Sequence, residues 1–383
     1  MSKMKKSQSA SNIYDQIREV ILKARHEAYR HIDALKVISN FMIGKIIVMH
    51  EQAGAERAAY GKETLKSVSK RLSREFGRGF SVDNMERMRN FYLLYKPRLA
   101  FIEKGFFLAQ PISATVSRKS HPGKSATASR IFKITDDIRN PDTLPRTSAE
   151  DLNLLRLSWS HFVLLMKMDE LERGFYEIES IANNWGIREL ERQYNASLYE
   201  RLALSKDKQK VKELSRRGQL IENPSDLIKQ PYILEFLGLK EESAYSETDL
   251  ERAIIDRIEN FLLELGKGFL FEARQKRISF QGENFYIDLV FYNRLLRCYV
   301  LIDLKIGKIS HENIGQMQMY VNYFDRMVKQ KNENSTVGII LCKQSNKAVV
   351  EFTLPEKERQ IFAREYRLYL PAKEELKRQI EKM

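Results

Sequence analysis

NFYIDLVFYNRLLRCYVLIDLK, Asn284 to Lys305, is the stretch that decides the fold of this 383-residue chain. It holds two runs rich in β-branched and aromatic residues, Asn284–Tyr292 and Arg297–Lys305, which read as neighbouring strands. Side chains alternate between the faces of a strand, so Asp288 shares a face with Tyr286 and Val290, while Phe285, Ile287, Leu289 and Phe291 line the other. In the second run Tyr299, Leu301, Asp303 and Lys305 fall on one face, opposite Val300, Ile302 and Leu304. Asp303 and Lys305 are then roughly 7 Å apart along the strand and point the same way. Pairing of the two strands would gather two carboxylates and an ammonium on one side of a sheet.

Outward from this pair, FLFEAR (Phe269–Arg274) and KRISFQ (Lys276–Gln281) read as two earlier strands, and STVGIILC (Ser335–Cys342) as a buried one. Residues His311 to about Met327 have helical periodicity, and a last helix precedes the strand YRLYL, Tyr366–Leu370. The order predicts a mixed sheet flanked by helices. Upstream, Ser246 with Asp249 forms a capping-box variant and Gly266 is placed to end the helix it starts. Helical spacing puts Leu250, Ile254, Ile255, Ile258, Phe261, Leu262 and Leu265 on one arc, with Glu251 in its middle. A carboxylate turned toward a core is costly unless a metal ion or a basic partner compensates.

Two aspartates, the backbone carbonyl of Leu304 and waters would suit a hard cation such as Mg²⁺ or Mn²⁺. A bound cation lowers the pKa of its water, and Lys305 would orient that water or balance charge on a phosphate. The plain alternative is an Asp–Lys ion pair at the end of a sheet; three charges on buried faces of a helix and two strands weigh against it. Gln316 and Tyr320, four apart on the next helix, share a stripe with Phe324 and Met327, where they would hold a water or a phosphate or simply pack.

The N-terminal part has a different character. Residues 1–150 hold 28 Lys+Arg against 15 Asp+Glu, whereas the remaining 233 residues hold 37 against 36, so nearly all of the net +14 sits in the first part. A basic module beside a neutral one points to polyanion binding in the first half. Ile13 to about Glu51 reads helical, with Ile17, Val20, Ile21 and Ala24 in register. Leu65, Val68, Leu72 and Phe76 form a second stripe, Gly77–Gly79 a turn containing Arg78, and Ser81 caps a helix carrying Met85, Met88, Phe91 and Tyr92. This is a helix-turn-helix pattern whose second helix offers Asn84, Arg87 and Arg89 to phosphates or base edges. An αα-hairpin packed on its neighbours fits the pattern equally well. Four of the nine prolines fall between Pro111 and Pro145, where periodicity disappears, so 111–147 reads as a linker or mobile loop. His161 and Trp185 read as core residues with their polar atoms satisfied.

Composition closes off other classes. The longest apolar-leaning run, Phe41–Met49, contains Lys45 and is far short of a membrane span of roughly 20 residues. No apolar region follows the basic Met1–Lys6, so a secretory signal is not expected and the cytoplasm is. Cys298 and Cys342 lie in apolar segments and read as buried inert thiols rather than a disulfide or zinc site.

Asp288, then Asp303-Leu304-Lys305, then Gln316 and Tyr320 as Q-x-x-x-Y resemble the PD-(D/E)XK nuclease superfamily, RecB-like branch. FLLELGKGFLFEARQKRI, FYIDLVFYNRLLRCYVLIDLKIGK, GQMQMY and VGIILC are similar to the C-terminal domain of the YhcG family within it. YGKETLKSVSKRLSREFGRGFSVDNMERMRNFY, LSWSHF and NNWGIRELERQ are similar to that family's N-terminal helical domain. The resemblance implies a multidomain chain: a mostly α-helical N-terminal domain with a helix-turn-helix-like unit over 12–205, a charged linker helix over 206–225, and an α/β restriction-endonuclease-like domain with a mixed central sheet over 226–383. It also implies roles: Asp288 and Asp303 as metal ligands, Lys305 positioning water, Glu251 completing the metal site, and Gln316 and Tyr320 shaping it. Two departures stand out, because Asp303 replaces the usual Glu of the triplet and Ile287, not Pro, precedes Asp288.

The function expected is a Mg²⁺- or Mn²⁺-dependent nuclease acting on DNA, with the basic helical domain holding the substrate and a homodimer as the assembly. The alternative expectation is a non-cleaving DNA-binding or assembly protein with a vestigial nuclease fold, part of a defence or mobile-element system.

Overall fold

The computed structural model describes residues 18, 31–52, 58–107, 149–206, 208–239, 245–280, 282–355 and 360–382. The helical stripe before residue 31, apart from position 18, and the proline-rich stretch 111–147 lie outside them. The described residues pack as two compact units, one running to Arg173 and including Glu177–Leu190, the other taking Gly174–Tyr176 and everything from Glu191. The second unit thus takes in residues 191–205 and the charged helix Lys208–Arg217.

The first unit is helical because its apolar residues recur at three- and four-residue spacing. On the helix over 31–52, Val37, Ile38, Phe41, Met42 and Val48 are buried. A β-carbon at Gly44 would fall 2.0 Å from the carbonyl oxygen of Met88, so only glycine allows helix Val82–Phe107 to approach there. Met85, Met88, Phe91 and Tyr92 are buried on that helix as the periodicity predicts. The preceding helix, Ala58–Phe76, departs from its predicted stripe: Val68 is exposed and Phe76 is 62% exposed, while Ser69 is buried. The chain turns at Gly77 and Gly79, both at positive φ, and folds back over Ser69, whose hydroxyl donates to the Phe80 carbonyl. The last helical turn is left with little to pack against. His161 is a core histidine as read, its ring bonded to the Ser158 hydroxyl and the Trp185 carbonyl.

In the second unit six strands form one mixed sheet in the order β1-β6-β5-β4-β3-β2. They are β1 (Tyr232–Ile233), β2 (Phe269–Phe280), β3 (Glu283–Asn293), β4 (Cys298–Lys308), β5 (Val337–Gln344) and β6 (Ile361–Arg367). β2, β3 and β4 are antiparallel neighbours, and β4, β5, β6 and β1 pair in parallel. Several expectations need correction. The two predicted strands before Asn284 are one long β2, bent by a register shift between Phe271 and Ala273. The last strand starts at Ile361, so only Tyr366 and Arg367 of YRLYL belong to it. The predicted helix from Ser246 does end at Gly266, but it breaks at Arg257 into Glu247–Asp256 and Ile258–Leu265.

Both sheet faces are covered. One core joins Leu250, Ile254, Phe261 and Leu265 to Leu289, Phe291, Val300, Ile302 and Leu304. The other joins Ile314, Met317 and Tyr320 of helix His311–Tyr323 to Ile287, Val290, Leu301 and Ile340. Strand β4 alternates as predicted, whereas β3 does not. Ile287 and Leu289 lie in opposite cores, so the alternation changes phase at Asp288.

Candidate active site

The phase change marks a fork in the sheet. The β3–β4 ladder runs from Asn293 opposite Cys298 to Leu289 opposite Ile302 and ends there, one step before Asp288 and Asp303 would meet. The Leu304 N–H is instead accepted by Asp288 Oδ2 at 2.8 Å. A side-chain carboxylate thus replaces a main-chain acceptor, and the strands splay around it. Two residues on, Lys305 Nζ lies 3.0 Å from Asp303 Oδ2.

Helix Glu247–Asp256 supplies two more acids. Ser246 caps it, its hydroxyl accepting from the Asp249 N–H while the Asp249 carboxylate accepts from the Ser246 N–H. One turn apart, Glu247 and Glu251 then face the fork: Lys305 Nζ donates to Glu247 Oε2 at 3.2 Å. Glu251, only 6% exposed, accepts at Oε2 from Gln275 Nε2 at 2.6 Å. The same amide nitrogen donates to Asp288 Oδ1 at 3.1 Å. Gln275 therefore bridges the helix carboxylate and the strand carboxylate, and its backbone is left-handed, at φ 43°.

The charges perturb one another. Burial, and then the neighbouring Asp288, pushes the Asp303 carboxyl up to about 7 against the pull of Lys305. Burial and Asp288 also raise Glu251, opposed by the Gln275 hydrogen bond. Burial works to lower Lys305, but the Asp303 and Glu247 carboxylates outweigh it and hold the ammonium above its usual range. From the opposite face, Gln316 Nε2 donates to the Tyr320 hydroxyl at 2.6 Å, and that hydroxyl donates to the Tyr286 carbonyl at 2.9 Å. Burial, then Asp303, pushes Tyr320 up to about 12, so it stays a donor.

Asp303 Oδ2 is buried, and apart from the Lys305 ammonium 3.0 Å away no donor among the described residues reaches it. An oxygen so placed, with Asp288 across the fork, fits a hard cation coordinated largely by water. Among the described residues no three His, Cys, Asp or Glu side chains converge to hold one ion. Glu251 thus stands off from the two aspartates, linked to Asp288 through the Gln275 amide.

Sequence reasoning named Asp288, Asp303, Lys305, Glu251, Gln316 and Tyr320; the first three meet at the fork, Glu251 joins them through Gln275, and Gln316 and Tyr320 reach only the Tyr286 carbonyl behind it. It missed Gln275 and Glu247. Gln275 was hidden because the run was read as two strands with the break at this residue; as one strand, β2 sets it between the pairs Arg274–Leu289 and Lys276–Ile287, opposite Asp288. Glu247 had a signal, the four-residue spacing to Glu251.

The N-terminal candidates separate. Asn84 is tied inward, its amide donating to the Gly79 carbonyl and accepting from Trp159 Nε1 at 3.2 Å. Arg89 pairs with Glu51 at 2.6 Å. Arg78, on the turn, and Arg87 are exposed, and Arg87 lines a groove with Leu93, Leu94, Met166 and Lys167.

A mixed sheet with helices on both faces and an Asp/Asp-x-Lys fork defines the PDDEXK nuclease class of fold. Residues 225–381 match the model of the YhcG PDDEXK nuclease domain, and residues 16–104 and 135–201 match that of the DUF1016 N-terminal domain. YhcG of Escherichia coli (strain K12) is 35% identical over 365 residues, covering 95% of this chain and 92% of that one. The chain belongs to the YhcG family of PDDEXK nuclease-domain proteins. Among solved structures, a repair endonuclease from Pyrococcus abyssi is 22% identical over 34% of this chain with a TM-score of 0.24, and an EndoMS–dsDNA2 complex is 14% identical over 35% with the same TM-score. The match spans half the length of each of those two chains. Among the described residues no helix is long and apolar enough to cross a membrane.

Proposed function

We propose that this chain is a divalent-cation-dependent nuclease that hydrolyses phosphodiester bonds, with DNA as its substrate. The observation that carries this reading is the fork itself, where Asp288 and Asp303 flank a splayed strand end with Lys305 3.0 Å from Asp303. Asp288 and Asp303 would hold Mg²⁺ or Mn²⁺. When bound, the ion supplies Lewis acidity toward a phosphoryl oxygen and toward the attacking water. Lys305, kept charged by Asp303 and Glu247, balances the negative charge that grows on the phosphorus oxygens. Gln275 and Glu251 fix the carboxylate of Asp288, and Tyr320, oriented by Gln316, holds the strand just before it. The basic N-terminal domain, 12–205, supplies substrate affinity through exposed cations such as Arg78 and Arg87, and the chain works as a homodimer.

Full-length protein incubated with single-stranded, duplex and branched DNA and with RNA, in Mg²⁺, Mn²⁺ or EDTA, tests the reading. Cleavage that needs the cation and is lost in Asp288→Asn is expected. Binding without cleavage under every cation would favour a non-cleaving, assembly role; a folded Asp288→Asn that cuts at the parental rate would put the site elsewhere.

A further inference from the structure

The β2–β3 ribbon runs on past the rest of the sheet. β3 leaves β4 at Leu289, but its pairing with β2 continues through Lys276–Ile287, Arg277–Tyr286 and Ile278–Phe285 to Phe280–Glu283. The result is a two-stranded arm that begins at the fork. Its two faces differ. Ile278 and Ile287 are buried on one, where Phe280 stacks on Phe285 and on Tyr323.

The other face carries Arg277 and Ser279 from β2 and Asn284 and Tyr286 from β3 by strand alternation, and it leads to Gln275 and Asp288, paired at the point where the alternation changes phase. Its polar groups are chained together. Arg277 Nε donates to the Ser279 hydroxyl at 3.1 Å, that hydroxyl donates to Asn284 Oδ1 at 2.6 Å, and Gln275 donates to Asp288. In the midst of this strip Tyr286 is 49% exposed, directly opposite Arg277. Its backbone is fixed from behind by the Tyr320 hydroxyl, so the ring is presented by a rigid strand. Asp288 lies two residues, roughly 7 Å, further along.

An aromatic ring and a guanidinium side by side, roughly 7 Å along the strand from the fork, match one ligand chemistry. A base offers a flat π-face for the ring and its phosphate an anion for the arginine. Arg274, also exposed, continues the positive edge, and Glu283 at the hairpin tip marks where it stops. A paired duplex hides its base faces in the stack, so the ring has a partner only where a nucleotide is unpaired. A protein strand or helix would want apolar area, and on this face Tyr286 alone supplies it.

We infer that the outer face of the β2–β3 arm is a single-strand track: Tyr286 stacks on an unpaired base beside the phosphate that enters the fork, and Arg277 holds the adjoining phosphate. This rests on the nuclease reading and narrows it to substrates with an unpaired nucleotide at the cut. The test is fluorescence anisotropy of the full-length chain in EDTA, with a labelled single strand and a blunt duplex of the same sequence. Tyr286→Ala should weaken single-strand binding at least about fivefold and leave duplex binding within about twofold, while Tyr286→Phe, which keeps the π-face, binds like the parent. Arg277→Ala reads the track independently and should lower the slope of log affinity against log salt by about one. Unchanged single-strand affinity in a Tyr286→Ala variant that melts like the parent, or equal losses on both substrates, overturns the track. The two readings fail separately. A parent that grips single strands through Tyr286 yet cuts nothing sinks the nuclease; a parent that cuts, with Tyr286→Ala binding and cutting single strands equally well, sinks the track.

Discussion

Glu264 and Asp303 are both buried carboxylates of the second unit, and they are treated in opposite ways. Glu264 accepts from the Arg201 guanidinium and from the Ile233 N–H at 2.9 Å, and its own carbonyl accepts from the buried Lys229 ammonium. It stitches the short edge strand β1 to helix Ile258–Leu265. Asp303 has only the Lys305 ammonium beside its buried Oδ2, a second carboxylate for a neighbour and a carboxyl pushed up to about 7. A structural charge is surrounded until nothing is missing. The Asp303 charge has fewer donors around it, which is the arrangement expected if it is kept for chemistry. Burial does not separate the two; satisfaction does.

The largest effect should fall on the satisfied side. Glu264→Ala leaves Arg201 buried and unpaired, and urea denaturation should show a loss of about 3–5 kcal/mol. Asp288→Asn should lose at least about 10²-fold in initial cleavage rate while its denaturation midpoint stays close to the parent's. If Asp288→Asn instead unfolds as Glu264→Ala does, the contrast collapses and the fork is ordinary structure.

The pH dependence of stability sharpens the same contrast. Asp303 is raised above its ordinary 3.8 to about 7 by burial and by Asp288, so between those values the folded state binds more protons than the unfolded one. This contribution to stability is greatest at low pH and is lost as pH rises through that window. In EDTA the parent should therefore lose on the order of 2 kcal/mol between pH 5 and pH 8 relative to Asp303→Asn, as seen by denaturation at both pH values. A parent and variant with parallel pH profiles would mean that Asp303 is not under this strain.

What was legible beforehand follows local physics. Alternation along β4 predicted that Asp303 and Lys305 share a face, and the structure agrees because β5 holds the register of β4 through both residues even after β3 has left it at Ile302. The same rule failed on β3. Period two assumes a regular ladder, and the ladder stops at Leu289, so Ile287 went to the other core. Glu251 was visible as a charge inside an apolar arc, although the arc belongs to two helices. Gln275 was not visible, since a positive φ in a long strand is set by tertiary contacts and leaves no compositional trace. Asn84 shows the converse. Its residue type suits base recognition, but nothing local reveals that Trp159, 75 positions away, will claim it.

Gln275 gives a smaller effect that tests whether the bridge matters. Gln275→Asn retains a residue tolerant of left-handed backbone but is one methylene too short to reach both Glu251 and Asp288. Cleavage should fall roughly tenfold, about 1.4 kcal/mol for one lost hydrogen-bond bridge, with stability within about 0.5 kcal/mol of the parent. Equal activity in parent and variant would make the bridge a bystander.

The smallest effect concerns the first unit, where cations are distributed over an exposed surface rather than gathered at a fork. Arg87 is exposed and Arg89 is half engaged by Glu51, so neither is held in the way that Lys305 is. If they meet phosphates, each neutralises one charge and releases about one counterion. The double variant Arg87→Ala, Arg89→Ala should then flatten the slope of log affinity against log salt by up to about two and weaken binding several-fold at physiological salt, for all sequences alike. Cleavage at saturating substrate should stay at the parental rate, because neither residue lies in the unit that holds the fork. Salt titrations of anisotropy on the full-length protein measure both quantities. An unchanged slope would reassign helix Val82–Phe107 to packing alone and would leave substrate affinity to the other unit, where Arg277 and Tyr286 on the arm are exposed.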